Sequence, residues 1–292
     1  MKTIIVTGGT AGIGYQTSLE LARRGDRVVI TGRDRTRGEA ALETLRRDSG
    51  RSDLELALGD LSTVAGTRAL VAELSARFPR IDVLINNAGA FPTALTRTSD
   101  GLELGFATNV VMPCLLTRGL LPCLEAARPA RVVNLTGGSA GSALDVQNLQ
   151  CERGFDGLNS YSHSKRGLEA MSLELASELA PHGVFVTIVY PGQASTAMTR
   201  SVTPASMPWL MRPFFPLFAL LTREDGGKSA RKASRSSVHA ALAEELEGVG
   251  GRALDTHCRP LKLHRTVEDP ANRRRVMDVI AAASDARAGG AA

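Results

Sequence analysis

Tyr161 and Lys165 stand four residues apart in Tyr161-Ser162-His163-Ser164-Lys165, the spacing that puts two side chains on one face of a helix. A phenol ordinarily loses its proton at about pH 10, and a neighbouring ammonium favours the phenolate. The pair is therefore expected to pull the Tyr161 pKa toward neutrality and give a general acid and base. Such pairs are common, and this one matters only beside a site for a reactive partner. The run Thr7-Gly8-Gly9-Thr10-Ala11-Gly12-Ile13-Gly14 offers that site, because glycines between a strand and a helix let backbone amides approach a phosphate. Its Gly-x3-Gly-x-Gly spacing is not the Gly-x-Gly-x-x-Gly of the common dinucleotide fingerprint, and a plain tight turn is the other reading. About twenty residues on, where a carboxylate would hold the ribose 2′-hydroxyl of NAD, the chain has Gly32 followed by Arg33, with Arg35 and Arg37 near. A guanidinium there can grip a 2′-phosphate, which favours NADP(H); a solvated arginine is the alternative. Asp34 precedes a helical run and reads as its N-cap.

These residues need a frame that brings residue 8 and residue 161 together. Short β-branched runs at 3–6, 27–31, 54–58, 81–85, 131–135, 184–189 and 252–254 alternate with helical patterns at 13–24, 35–47, 64–77, 102–127, 160–180, 226–247 and 272–283. Strands this apolar, separated by helices, belong in a parallel sheet covered on both faces. The expected fold is α/β, a doubly wound parallel sheet of Rossmann type in three α/β/α layers. Residues 1–283 are expected to form a single domain with an apolar lid at about 195–221, and residues 284–292 a flexible tail.

Composition excludes several classes. The chain of 292 residues has 35 basic and 30 acidic residues, a net charge of +5, and 43% hydrophobic residues. Its arginines are scattered among acids rather than massed, so no nucleic-acid partner is expected. Cys114, Cys123, Cys151 and Cys258 form no CxxC pair, which speaks against a metal site and for a reducing, cytoplasmic setting. Asp255, His257 and Cys258 lie close together but lack a further ligand cluster. The apolar run 4–6 is too short for a signal core. The most apolar stretch, 207–221, carries Arg212, Pro208, Pro213 and Pro216, so no transmembrane span is expected, although the stretch could rest on a surface.

Taken in order, Thr7–Gly14, Asn86-Asn87-Ala88-Gly89, Asn109, Tyr161-Ser-His-Ser-Lys165 and Pro191-Gly192 resemble the landmarks of the short-chain dehydrogenases/reductases, over about residues 2–283. The Gly32-Arg33-Asp34 turn, the long gap before Tyr161 and Gly251-Arg252-Ala253-Leu254-Asp255 look like the retinol-dehydrogenase-like branch. The resemblance implies an NADP(H)-dependent oxidoreductase that moves a hydride between nicotinamide and a carbonyl or alcohol. Tyr161 would pass the proton, Lys165 would hold the nicotinamide ribose and lower the Tyr161 pKa, and Asn109 would anchor a relay water. Gly8, Thr10, Gly12, Ile13 and Gly14 would face the pyrophosphate, Asp60 and Leu61 the adenine, and Asn87, Ala88 and Gly89 the adjoining ribose. Pro191 and Gly192 would border the nicotinamide.

One landmark departs from the pattern. The family ends its fifth strand with two serines, the second polarising the carbonyl; here the chain reads Asn134-Leu135-Thr136-Gly137-Gly138-Ser139, with glycine in that place. Ser139, Thr136 and no hydroxyl at all are the open readings, Ser139 being the favoured one. Gly137 also leaves open a non-redox dehydration or cyclisation on the same scaffold, or an NADP-binding regulatory protein. Met198, Met207, Trp209, Met211, Phe214, Phe215 and Phe218 give the lid an apolar character suited to a bulky apolar small-molecule substrate. A face against a partner subunit or a membrane surface is the other reading of that segment. His163 reads as an ordinary helix residue. The resemblance further implies a homodimer or homotetramer paired through 102–127 and 160–180.

Overall fold

The computed structural model describes residues 1–137, 143–207 and 209–285. Seven strands form one sheet: β1 (Thr3–Val6), β2 (Arg27–Gly32), β3 (Glu55–Leu58), β4 (Val83–Asn86), β5 (Ala130–Leu135), β6 (Val184–Val189) and β7 (Arg252–Leu254). Every neighbouring pair is parallel, in the order β3-β2-β1-β4-β5-β6-β7. The direction of winding reverses between β1 and β4, where Ile4 pairs with Val83 and Val6 with Ile85. Loops leaving the carboxyl ends of those two strands diverge there and open the crevice that such sheets use for ligands.

Strand alternation explains why the sheet is covered on both faces. Ile5, Val29, Leu84, Val132 and Val186 pack into one buried cluster. Their neighbours Ile4, Val6, Val28, Ile30, Ile85 and Val133 pack into another on the opposite face. Helices α1 (Gly12–Arg23) and α2 (Arg35–Ser49) cover the second face. α3 (Val64–Arg77) covers the first. The span 102–127, expected as one helical region, is instead α4 (Leu104–Phe106), a π-turn (Ala107–Val111), α5 (Met112–Gly119) and α6 (Leu121–Glu125). Pro113 and Pro122 each sit in the first turn of their helix, the position where a missing N–H costs least. α7 (Gly157–Leu179) is the long helix beneath the first face.

Beyond β6 the chain forms the short α8 (Ala197–Arg200), two 3₁₀ turns (Pro204–Ser206 and Trp209–Phe214) and α9 (Phe215–Leu221). It then returns through α10 (Lys228–Leu242), β7, α11 (Arg265–Glu268) and α12 (Pro270–Asp285). No helix of the described residues is long and apolar enough to cross a membrane. The four cysteines are free.

Candidate active site

The glycine turn after β1 is shaped by close packing. A Cβ on Gly14 would lie 2.4 Å from both the Gly8 carbonyl oxygen and Asn87 Nδ2, so only glycine lets α1 begin this near β4. Thr7 joins the two strand ends: its hydroxyl accepts from the amides of Asn87 (3.0 Å) and Ala88 (2.9 Å), and Asn87 Nδ2 donates to the Thr7 carbonyl at 2.8 Å. α1 itself has Ala11 at its N-cap, with no side-chain cap and no acidic residue in its first turn. By contrast α2, α3 and α7 are capped by Asp34, Thr63 and Asp156. An uncapped helix start behind a glycine turn is an anion cradle made of backbone amides and the helix dipole.

That cradle forms one end of a cleft of about 590 Å³. Gly8, Thr10, Gly12, Ile13, Gly14, Arg33, Asp60, Leu61, Asn87, Ala88, Gly89, Tyr161, Lys165 and Pro191 all line it. Gly192 is the exception among the expected cofactor residues. It adopts φ +79° and faces Thr256, whose Cγ2 would be 2.6 Å from an added Cβ, so it turns the chain beside the cleft without lining it. Arg33 is exposed at the cleft rim. Asp34, next to Arg33 in the chain, caps α2, its Oδ1 accepting from the Arg37 amide at 2.9 Å. A nucleotide with a diphosphate fits these groups: amides for the phosphates and a guanidinium at the ribose end.

At the other end α7 presents Tyr161 and Lys165 on one face. Asp156 caps the helix by accepting from the Asn159 amide at 2.9 Å. Lys165 is 5% exposed; its Nζ donates to the Leu135 carbonyl at 2.9 Å and sits 5.9 Å from the centre of the Tyr161 ring. Burial pushes the Lys165 ammonium down to about 8 against the opposing pull of Glu169. The expectation that Lys165 would draw the Tyr161 phenol toward neutrality is corrected here. Although the ring keeps partial exposure to the cleft, burial raises Tyr161 to about 12, with Tyr190 adding to the rise. Lys165, aimed at the Leu135 carbonyl rather than at the phenol oxygen, does not offset the loss of solvation.

Asn109 sits in the π-turn, a distortion frequent at functional sites, and is 1% exposed. Its Oδ1 accepts from the Ala90 amide at 2.8 Å, and its Nδ2 donates to the Ala90 carbonyl (2.9 Å) and to Ser164 Oγ (2.8 Å). Ser164 in turn donates to the Tyr161 carbonyl at 2.7 Å. The amide thus fixes the loop after β4 to the helix that carries Tyr161.

Ser139 lies outside the described residues. Gly137 is beside the phenol: a Cβ there would stand 2.9 Å from Tyr161 Oη. Thr136 directs its hydroxyl into the core, donating to Glu169 Oε1 at 2.6 Å, while Arg166 pairs with Glu169 Oε2 at 2.7 Å. Sequence reasoning missed Glu169, Ser164 and Phe91. Glu169 is four residues after Lys165 and so on the same helix face, a signal open to reading. Phe91, whose ring centre is 5.3 Å from that of Tyr161, carries no motif.

The segment 195–221 meets the cleft only through its beginning. Thr196, Ala197, Met198 and Ser201 line it. Met207 is buried, Phe215 and Phe218 line a separate cavity, and Trp209, Met211 and Phe214 are exposed. Most of the apolar residues expected over the substrate therefore face elsewhere. His163 acts in the scaffold: its ring accepts from the Asp145 amide at 3.0 Å. Asp255 braces its own turn through the His257 and Arg259 amides and the Arg259 guanidinium.

The family model for short chain dehydrogenases matches residues 2–206. The chain belongs to the short-chain dehydrogenase/reductase family. It is 35% identical over 253 residues to retinol dehydrogenase 12 of Mus musculus, covering 86% of this chain and 76% of that one. It is 34% identical over 256 residues to retinol dehydrogenase 13 of Homo sapiens, covering 87% and 76%. These relatives place it in the retinol-dehydrogenase-like branch of the short-chain dehydrogenases. Among solved structures it is similar to an uncharacterized protein from Mycobacterium paratuberculosis, with TM-score 0.74 and 22% identity over 98% of this chain and 94% of that one. It is also similar to the Pseudomonas aeruginosa RhlG/NADP active-site complex, with TM-score 0.62 and 28% identity over 87% and 94%. As a short-chain dehydrogenase/reductase it is an oxidoreductase that binds a nicotinamide cofactor.

Proposed function

We propose that this protein is an NADP(H)-dependent carbonyl reductase or alcohol dehydrogenase acting on a bulky apolar small molecule, with Tyr161 as the proton donor and acceptor. The observation that carries the reading is one cleft with an uncapped glycine-rich helix start at one end and Tyr161 with Lys165 at the other. When bound, the nicotinamide supplies or accepts the hydride. The chain's own residues do the rest. Amides of Gly12, Ile13 and Gly14 hold the diphosphate, and Arg33 meets the 2′-phosphate. Tyr161 donates its proton to the carbonyl oxygen as hydride arrives at the carbon, and Lys165 stabilises the tyrosinate left behind. Asn109 acts through Ser164 and Ala90 to hold that geometry and anchors the relay water. Because Thr136 is turned to Glu169, polarisation of the carbonyl is assigned to Ser139. Phe91, Leu104 and Met198 give the cleft near Tyr161 an apolar wall, which suits a bulky apolar carbonyl compound. We assign residues 1–283 to one domain in the cytoplasm, with 196–201 as the part of the lid that closes on substrate and 284–292 as a flexible tail.

The test is nicotinamide absorbance with NADPH and with NADH against a panel of apolar aldehydes and ketones. Oxidation of NADPH in preference to NADH, dependent on a panel member, is expected. Gly137 beside the phenol favours one second reading, a dehydration or cyclisation at Tyr161 with no net hydride transfer. That reading predicts a changed substrate with no change in nicotinamide absorbance.

A further inference from the structure

Among the described residues, a run of exposed apolar side chains lies outside the cleft. Trp209, Leu210, Met211, Phe214, Leu217 and Leu220 follow one another on the 3₁₀ turn Trp209–Phe214 and α9, and are between 44% and 73% exposed. Elsewhere among the described residues only Met1 and Leu95 are large hydrophobics so exposed. Contiguous apolar surface of this kind marks a contact with something apolar.

The charge around it is one-sided. No acidic residue occurs from 201 to 223. Arg200, Arg212 and Arg223 flank the face, and α10 continues with Lys228, Arg231, Lys232 and Arg235, all exposed on one stripe. Ser195 ties the two parts together, its amide donating to Ser229 Oγ and its hydroxyl to the Thr222 carbonyl, each at 2.8 Å. Glu224 and Asp225 are the only acids between 200 and 235, so this segment carries the whole net charge of +5, and basic and acidic residues balance in the rest of the chain.

We propose that this face docks the protein on an anionic lipid bilayer, with Trp209 and α9 in the headgroup region and the basic stripe of α10 against the lipid phosphates. An apolar face with an indole and a cationic flank is the pattern that partitions into such an interface. A second copy of the chain fits less well, since a symmetric contact would press the two cationic flanks together. The same segment begins at Ala197, Met198 and Ser201 in the cleft wall, so docking would place the cleft mouth near a reservoir of apolar molecules. The proposal does not depend on the cofactor or on the reaction.

Trp209 is the chain's only tryptophan, and its emission reports docking directly. With vesicles of mixed phosphatidylcholine and phosphatidylglycerol the emission should shift to the blue and the protein should sediment with them. Pure phosphatidylcholine should do neither, and salt should reverse both effects. Each cation at an anionic surface strengthens partition by roughly fivefold. Arg231→Glu with Lys232→Glu should therefore weaken it by roughly 25-fold or more, and Leu217→Ser with Leu220→Ser should abolish the shift. All four positions are outside the cleft, so unaltered thermal stabilisation by NADPH would show the variants folded and competent. No sedimentation with anionic vesicles, or sedimentation untouched by both pairs of substitutions, would overturn the proposal. So would a dimer seen by sedimentation equilibrium that Leu217→Ser with Leu220→Ser dissociates, which would give the face to a second copy.

Discussion

Burial holds the proton on Tyr161. With the phenol held up to about 12, Tyr161 is protonated at neutral pH and ready to donate, which suits carbonyl reduction. Lys165, held down to about 8, is a full cation only below that pH. Reductive turnover should be flat near neutrality and fall above about pH 8, as the charge that stabilises the tyrosinate is lost. The same shift bears on stability. Between about 8 and the ordinary 10.5, the unfolded chain keeps a proton that the folded protein gives up, so stability rises with pH across that window. Lys165→Met should abolish turnover yet stabilise the fold at pH 7, by up to about 3 kcal/mol, and should flatten the rise. Urea denaturation of both proteins at pH 7 and pH 10 measures this. Gly137 gives a second prediction. A methyl group there would crowd Tyr161 Oη, 2.9 Å from the new Cβ. Gly137→Ala should lower kcat by roughly 10- to 100-fold through misplacement of the phenol, with NADPH affinity unchanged in a fluorescence titration.

Among the elements, the start of α1 is the most sensitive. Gly14→Ala places a methyl group 2.4 Å from the backbone oxygen of Gly8, and overpacking of that kind costs about 1–3 kcal/mol. Denaturant midpoints should fall accordingly, and NADPH binding with them, because the cradle and the packing are the same atoms. The elements around this turn were legible in the sequence because their patterns are local. β-Branched runs such as Val28-Val29-Ile30 alternate with long helical stretches, and Asp34 announces its cap three residues before Arg37. Tyr161 and Lys165 were legible as a pair through helical spacing. What escaped was the non-local part. Thr136 meets Glu169 across 33 residues of chain, and Asn109 reaches Ser164 across 55; no periodicity encodes either. The π-turn at Ala107–Val111 follows from packing rather than composition. The apolar character of 209–220 was plain, but its outward direction was not, since short helices broken by prolines have no period from which to read a face. The lowered Tyr161 pKa was expected from a charge four residues away; the burial that reverses it depends on Phe91, Gly137 and the whole sheet edge.

For the whole molecule, cofactor and fold are linked through the switch point between β1 and β4, so binding there should be felt as global stability. A ligand at a hundred times its Kd stabilises the folded state by about 2.7 kcal/mol. In a chain of this size that should raise Tm by several degrees. NADPH should raise it more than NADH at equal concentration, and Arg33→Ala should make the two nearly equal while leaving the unliganded Tm unchanged, because Arg33 is exposed at the rim. Equal shifts in the wild type would remove the NADP preference and leave the rest of the site intact. We propose that this cleft holds a reduced nicotinamide while Tyr161 hands a proton to a carbonyl. The most direct test is Tyr161→Phe, measured for NADPH affinity and for NADPH oxidation with whichever carbonyl compound the wild type reduces. Unchanged affinity with turnover lost by at least about 100-fold is expected; a variant that binds NADPH and still turns over at the wild-type rate would take the proton transfer away from Tyr161.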